Sequence, residues 1–391
     1  MIPKTELLGR ISRLQKEIRS NNISGALIVQ RADLYYFCGT GQNGHLFVPA
    51  EGEPRLLVKK NLQRAKEESS LDLVIPFAGW DELKQIVIGG MAAGEQLGME
   101  LDVLPVNLYF RYRKSLHPLT IVDISFIIRQ IRSIKTPFEI RQLKAAAALA
   151  WALFAYARDI IKEGMTEAAL AAELESFTRC RGHQGAVRMR GFNQEMFYGH
   201  VMSGESAAAP SFFDGPTGGH GLNPSYPQGA GLRKIRRNEP ILIDYVTVLD
   251  GYMVDQTRIF CLGRLPEALV QAYGTALRIK SDLIALGKAG SCCAALFRHA
   301  ENLAAQAGLL DHFMGAAEKV SFIGHGVGLE LDELPVIARG AEAKLGAGMV
   351  FALEPKFIFP GEGVVGIEDT FLVTESGLAQ ITSFDDSIQY L

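Results

Sequence analysis

The sequence predicts an α/β (α+β) chain of two domains, the second built on a repeated helix–helix–strand plan. Three observations predict it. Apolar runs of strand length alternate with helical segments from the N terminus to about residue 130. A strongly signalled helix start follows at Thr136-Pro137-Phe138-Glu139. Beyond it come two helix pairs, each preceding a strand-rich stretch. The length of 391 residues exceeds one ordinary domain, and a hydrophobic content of 48% can build two cores.

The first helix carries Leu7, Leu8, Ile11, Leu14 and Ile18 at three- and four-residue steps, which makes one apolar face. Ala26-Leu27-Ile28-Val29 reads as a short buried strand. Leu46-Phe47-Val48 and Leu56-Leu57-Val58 follow, separated by the turn-like Pro49-Ala50-Glu51-Gly52-Glu53-Pro54. Strand–helix alternation continues to about residue 130, so residues 1–133 read as a small α/β domain and residues 134–391 as a second. In the second, Thr136 suits an N-cap, Pro137 the first helical position, and Glu139 completes a capping box. That helix runs through Leu143 to Ile161 and stops near Gly164; Thr166 starts another, which ends near Gly182. Pro266–Leu286 and Cys292–Ala307 repeat the pattern, with Gly290-Ser291 as the break and Gly308 as the stop. The recurrence predicts an internal two-fold duplication. Between the helix pairs lies Ser203–Leu232, rich in Gly, Pro and Ser. A segment of that length with little periodicity inside a compact domain is more often functional than idle.

Charge and composition exclude several roles. The formal net charge is −3, with 40 basic and 43 acidic residues interspersed, so neither a nucleic-acid footprint nor a basic membrane face is expected. No run of 18 apolar residues offers a membrane span, and the charged, amphipathic start lacks a signal-peptide core. The five cysteines (Cys38, Cys180, Cys261, Cys292, Cys293) form no CxxC and no regular framework. They predict reduced thiols and a cytoplasmic setting. Adjacent Cys292 and Cys293 read as ordinary helix residues, since neighbouring cysteines rarely reach relaxed disulfide geometry.

The chemistry lies near the C terminus. Asp244, Asp255, His325, Glu354 and Glu368 each sit in a short apolar or glycine-rich segment that reads as buried strand. A carboxylate in such a place is costly unless something positive neutralises it. No comparable cluster of Lys or Arg is read in those segments, so bound divalent cations are the expected partner. Ile241–Val248 and Tyr252–Phe260 form a predicted hairpin around Leu249-Asp250-Gly251, with Asp-Gly as the turn signal. This places Asp255 roughly across from Asp244. Directly opposed, their Cβ atoms would be about 4.5–5.5 Å apart, close enough for repulsion that a metal turns into coordination. The hairpin alone admits another reading, in which Asp250 only turns the chain and an exposed Asp255 pairs with Arg258. His325 stands among glycines in Gly324-His325-Gly326-Val327-Gly328, where the chain can approach a ligand closely; alone, it reads more often as a satisfied core histidine. Glu354 ends the apolar run Met349–Leu353, and Glu368 lies within a second apolar run, Val364–Val373. A GxGxxG also occurs at Gly39–Gly44, but strand and turn follow it where a nucleotide fingerprint needs a helix.

The segments IDYVTVLDGYMVDQTR at 243–258, GHGVGLELDELP at 324–335, ALEP at 352–355 and GIEDT at 366–370 resemble the pita-bread-fold metallopeptidases: the methionine aminopeptidases, Xaa-Pro aminopeptidases and prolidases. The resemblance covers residues 136–391. Residues 1–130 resemble, more loosely, the N-terminal domain of the prolidase, aminopeptidase P and creatinase branch. It implies a C-terminal pita-bread catalytic domain with pseudo-two-fold symmetry and a smaller creatinase-like domain before it. It also implies two divalent ions, about 3.5–4 Å apart, sharing a water or hydroxide. On that resemblance Asp244 and Glu368 bridge the ions, Asp255 holds one, and His325 with Glu354 the other. Glu354 would also move the proton from the water to the leaving amine. Carboxylate-rich ligation suits Mn²⁺, with Co²⁺, Zn²⁺ and Fe²⁺ as alternatives.

Three positions depart from the family pattern. Its second histidine, seven residues after the metal-binding one, is here Asp332. Its histidine some 17 or 18 residues before the first aspartate falls on Pro227 or Tyr226; His220 lies nearby in Gly218-Gly219-His220-Gly221, and His200 further off. The prolidase-type arginine before the last glutamate is absent, with Val365 and Gly366 in its place. Asp332 and His220 are therefore candidates for the roles of the missing histidines, His220 being otherwise a surface-loop residue. The expected function is a metal-dependent aminopeptidase or dipeptidase of Xaa-Pro type acting on small peptides. The resemblance further implies a homodimer. A non-peptidase metalloenzyme on the same scaffold, a lyase or C–N hydrolase, is the alternative, and a non-catalytic binding protein a third reading.

Overall fold

Helical spacing of apolar residues folds Lys4–Ser20 into α1, which buries Leu7, Ile11, Leu14 and Ile18. A computed structural model describes residues 1–391 and divides into two units, Met1–Arg132 and Ser133–Leu391. Leu8 departs from the expected stripe and is 41% exposed. Its place is taken by Arg10, buried because its guanidinium reaches the Tyr36 carbonyl at 2.8 Å and Glu6 at 2.8 Å and lies over the Tyr36 ring. Arg10 falls three residues from Leu7, on the same face, whereas Leu8 is turned about a quarter-circle away.

The first unit continues with β1 (Gly25–Ile28), α2 (Arg31–Cys38), β2 (Gly44–Pro49), β3 (Arg55–Val58), α3 (Leu62–Glu68), β4 (Val74–Pro76), α4 (Trp80–Ile88), β5 (Gln96–Met99), α5 (Val106–Ser115), β6 (Thr120–Asp123) and α6 (Ser125–Ser133). Its six strands form one sheet in the order β4-β3-β2-β1-β5-β6. The central β1–β2 and β2–β3 pairs are antiparallel and the outer pairs parallel. The Gly39–Gly44 motif runs into β2 with no helix after it. Gly39 instead ends α2 with φ +79°, a left-handed cap that glycine supplies without strain.

In the second unit Thr136 caps α7 (Pro137–Ile160) through a full capping box: the Glu139 N–H donates to the Thr136 hydroxyl, and the Thr136 N–H to the Glu139 carboxylate. Thr166 caps α8 (Glu167–Arg179) by accepting from the Ala169 N–H. Then follow β7 (Gly199–Ser203), β8 (Ile241–Leu249), β9 (Tyr252–Cys261), α9 (Glu267–Leu286), α10 (Cys293–Gln306), β10 (Phe322–Gly326), β11 (Glu333–Ala338), β12 (Val350–Leu353), β13 (Lys356–Phe359), β14 (Gly363–Gly366), β15 (Asp369–Val373), β16 (Leu378–Gln380) and β17 (Gln389–Tyr390). The strands make a sheet β17-β9-β8-β7, a sheet β11-β10-β12-β15-β16 and the hairpin β13-β14. Leu153, Phe154, Leu170 and Leu174 of α7 and α8 cover the first sheet through Ile243, Tyr245 and Phe260. Tyr273, Ile279, Phe297 and Leu303 of α9 and α10 lie against Ile323, Phe351 and Phe371 of the second. Each helix pair thus backs one sheet, and the element order recurs. The expected continuous strand over 364–373 is broken: β14 ends at Gly366 and β15 starts at Asp369, in different sheets.

Candidate metal centre

The β8–β9 hairpin turns at Asp250 (φ +48°) and Gly251 (φ +86°), so Leu249 pairs with Tyr252. That two-residue turn dictates the register: Asp244 faces Thr257, and Asp255 faces Val246. The aspartates are therefore roughly across from each other, as expected, but not directly opposed. They lie diagonally on one face of the sheet, a spacing of about 7–8 Å between Cα atoms. Asp255 is buried and makes no pair with Arg258, which turns to the other face and binds Asp369.

His325 sits in β10 between β11 and β12, opposite Val336 and Ala352. A Cβ on Gly324 would come 2.5 Å from the Ala352 carbonyl, so glycine is required for the strands to meet there. The His325 Nδ1–H donates to the Leu331 carbonyl at 2.7 Å. That bond fixes the tautomer and leaves the Nε2 lone pair toward the carboxylates. Glu354 follows the last residue of β12, its N–H held by the Ile323 carbonyl at 2.9 Å. Glu368 lies in the break between β14 and β15, tied to Thr257 by an isolated bridge and by a 2.7 Å bond from the Thr257 hydroxyl.

All five side chains converge. His325 Nε2 lies 3.7 Å from Glu354 Oε1, 3.8 Å from Glu368 Oε1 and 3.9 Å from Asp255 Oδ2. These distances are too long for hydrogen bonds, but donors about 2.0–2.2 Å from a common ion stand up to about 4.4 Å apart. Asp255 Oδ1 and Glu368 Oε1 are buried with no hydrogen-bond partner. Unsatisfied buried carboxylate oxygens around an imidazole lone pair fit one divalent cation.

The remaining oxygens meet a cation of the chain itself. Lys356 Nζ donates to Asp244 Oδ2 at 2.8 Å, Glu354 Oε2 at 2.8 Å and Glu368 Oε2 at 3.0 Å. No cluster of basic groups was expected in these segments; this one lysine supplies part of the positive charge expected from bound cations. Lys356 follows Glu354 by two residues, and strand alternation returns it to the same side. Asp244 therefore faces the lysine, and Glu354 and Glu368 face both ways.

Electrostatics follow the geometry. Burial, and then the Asp244 carboxylate, push the Asp255 carboxyl well above its ordinary range. Burial and Asp255 do the same to Glu368, against the opposing pull of Lys356. Burial also raises Asp244, but Lys356 and His200 outweigh it and hold that carboxyl below its usual value. For Lys356, burial opposes the charge, and Asp244, Glu354 and Glu368 more than restore it.

Above the cluster lies a cavity of about 270 Å³, walled by Met189, Met196, Phe213, Pro216, Val246, Phe322, Leu331 and Val336. Phe213 to Thr217 come from the Gly- and Pro-rich segment, which forms one wall. Asp332 reaches the cavity rim, but its carboxylate accepts the Arg190 N–H at 2.8 Å and the Gly191 N–H at 2.7 Å, so it anchors the 190–191 backbone. His220 is exposed and is not part of the wall. The histidine at the cluster is His200. It lies on β7 directly across from Asp244, is 3% exposed, and has Nδ1 3.3 Å from the Thr217 hydroxyl. Its Nε2 is buried with no partner. Burial holds its pKa below the ordinary value against the Asp244 charge, so the ring is neutral near pH 7. Counting residues back from Asp244 misses it because residues 204–240 separate the two strands; the strand-like Gly199–Ser203 run was the available signal.

The chain is similar to known proteins over most of its length. Residues 141–375 match metallopeptidase family M24, and residues 10–134 the creatinase/prolidase N-terminal domain. A protein named Xaa-Pro dipeptidase from Pyrococcus furiosus is 28% identical over 375 residues, spanning 95% of this chain and 97% of that one. The Xaa-Pro dipeptidase structure from Bacillus anthracis superposes with a TM-score of 0.85 at 25% identity, covering 98% of this chain and 100% of the other. The prolidase structure from Pyrococcus horikoshii gives 0.80 at 25%, covering 96% and 99%.

Proposed function

This chain belongs to metallopeptidase family M24, and from that premise we propose that it is a metal-dependent Xaa-Pro peptidase, a dipeptidase or aminopeptidase that cleaves small peptides next to proline. The observation that carries the reading is the convergence of Asp255, His325, Glu354 and Glu368 around unsatisfied carboxylate oxygens beneath an apolar-walled cavity. The Xaa-Pro dipeptidase names of full-length relatives support the substrate class over lyase or C–N hydrolase chemistry.

Asp255, His325, Glu354 and Glu368 would hold the ion, and their oxygen-rich set suits Mn²⁺. A divalent ion in that place supplies Lewis-acid polarisation of the peptide carbonyl and an acidified water. Glu354 has one oxygen toward the ion's place and one on Lys356. From there it accepts the proton of the attacking water and passes it to the leaving nitrogen. His200, neutral and with Nε2 unpaired at the cavity, donates to the substrate carbonyl as charge develops on it. Met189, Phe213 and Phe322 exclude water and bind the apolar substrate side chain.

We also place the protein in the cytoplasm as a homodimer. Five unpaired cysteines accord with a reducing compartment, and no helix is long and apolar enough to cross a membrane. Light scattering tests the dimer: a mass near 42.7 kDa, that of one chain, counts against it. The activity test is a panel of Xaa-Pro dipeptides and longer Xaa-Pro peptides with Mn²⁺. Release of the residue before proline is expected, and silence across the panel with the metal shown to be bound ends the peptidase reading.

A further inference from the structure

The cluster has two halves, and only one of them has room for an ion. On one side, Asp255 Oδ2, Glu354 Oε1 and Glu368 Oε1 surround His325 Nε2 at 3.7–3.9 Å, with no chain cation among them. On the other, Asp244 Oδ2, Glu354 Oε2 and Glu368 Oε2 are held by the Lys356 ammonium at 2.8–3.0 Å. Each glutamate gives one oxygen to each half. We infer that this protein binds a single divalent cation per chain and that Lys356 stands permanently where a second ion would sit.

Three features make the lysine part of the architecture. Its side chain is 1% exposed, so the stem and ammonium are packed within the cluster at the cavity floor. It starts from β13, where Lys356 pairs across the ladder with Gly366. A Cβ on Gly366 would stand 2.6 Å from Lys356 Cγ, so the glycine makes room for the lysine stem. Gly366 is also one of the two positions, with Val365, that stand in place of the arginine absent from this chain. The chain therefore carries its basic group on the facing rung of the same ladder. Finally, three carboxylates contributed by separate segments accept from one Nζ, which uses all three of its hydrogens. A dication sharing those oxygens would lie within contact distance of an ammonium, and like charges that close repel strongly in a buried site.

The inference rests on the metallopeptidase reading for the ion itself, but its test does not need turnover. The full-length protein is stripped of metal, saturated with Mn²⁺, freed of excess and analysed by mass spectrometry for metal per chain. One ion per chain is expected, with the six-line electron-spin-resonance spectrum of isolated Mn²⁺. Two ions per chain, or the spectrum of an exchange-coupled pair, overturns the inference, and so does a chain that holds none. In Lys356→Gly a second ion is expected and the count rises to two; a folded Lys356→Gly that still holds one removes the lysine as the excluding group. Should the variant not fold, the wild-type count and spectrum decide alone. One bound ion without Xaa-Pro cleavage upholds this inference while sinking the proposed activity.

Discussion

Glu368 and Asp369 are neighbours in the chain, both buried, and they serve opposite kinds of cluster. Asp369 accepts from Arg258 at 3.0 Å, Lys280 at 2.5 Å, Gln256 at 2.8 Å and Thr382 at 2.8 Å. Asp386 joins the same two cations at 3.0 and 2.7 Å. Two carboxylates thus meet two cations, and every Asp369 oxygen is satisfied. One residue earlier, Glu368 belongs to a group of four carboxylates, three of which share a single lysine, and its Oε1 has no partner. Charge-balanced, fully bonded groups hold a structure together; an acidic surplus with unpaired oxygens is complete only with a ligand. The Arg258 guanidinium links the two by donating to the Thr257 and Glu368 carbonyls. The structural cluster thereby braces the backbone that aims the other.

The contrast is testable, and the largest effect belongs to the acidic side. Glu354→Gln removes the proposed proton carrier. Turnover of an Xaa-Pro dipeptide should fall by about 10²–10⁴-fold with the circular dichroism spectrum retained, and unchanged turnover excludes Glu354 from the reaction. On the balanced side, Asp369→Ala leaves Lys280 and Arg258 short of a buried partner. It should cost about 3–5 kcal/mol of stability in urea denaturation of the metal-free protein. Glu368→Gln, made in the cluster with surplus charge, should leave metal-free stability unchanged or raised, because it relieves repulsion. Equal losses in the two variants would erase the distinction between the clusters. Chelation of metal from the wild type should lower Tm: at 100 times Kd a bound ion adds about 2.7 kcal/mol, and Glu368→Gln should show much less of that gain. The smallest effect is expected from His200→Ala, about a tenfold loss of kcat, or ~1.4 kcal/mol, with little change in KM. A change confined to Tm would make His200 a packing residue.

Much of this was legible from local rules. The capping box at Thr136, the Thr166 cap and the strand–helix alternation depend on neighbours a few residues apart, and each appears in the fold. The hairpin register was also present in the Asp250-Gly251 turn, since a two-residue loop pairs Leu249 with Tyr252 and sets the aspartates diagonally.

Other features lay beyond local rules. Residue counting sought a histidine shortly before Asp244, but the ladder between β7 and β8 supplies His200 across the intervening segment. Asp332 matched a position in a motif, yet two backbone N–H groups claim its carboxylate.

The sequence by itself determined which acidic groups and which imidazole stand at the ends and turns of buried strands, because apolar runs and glycines mark those places in one dimension. Only the tertiary structure decided where the long Lys356 side chain ends. Its ammonium follows the sum of fields from Asp244, Glu354 and Glu368, three carboxylates that come together only after the two sheets and the β13–β14 hairpin have packed.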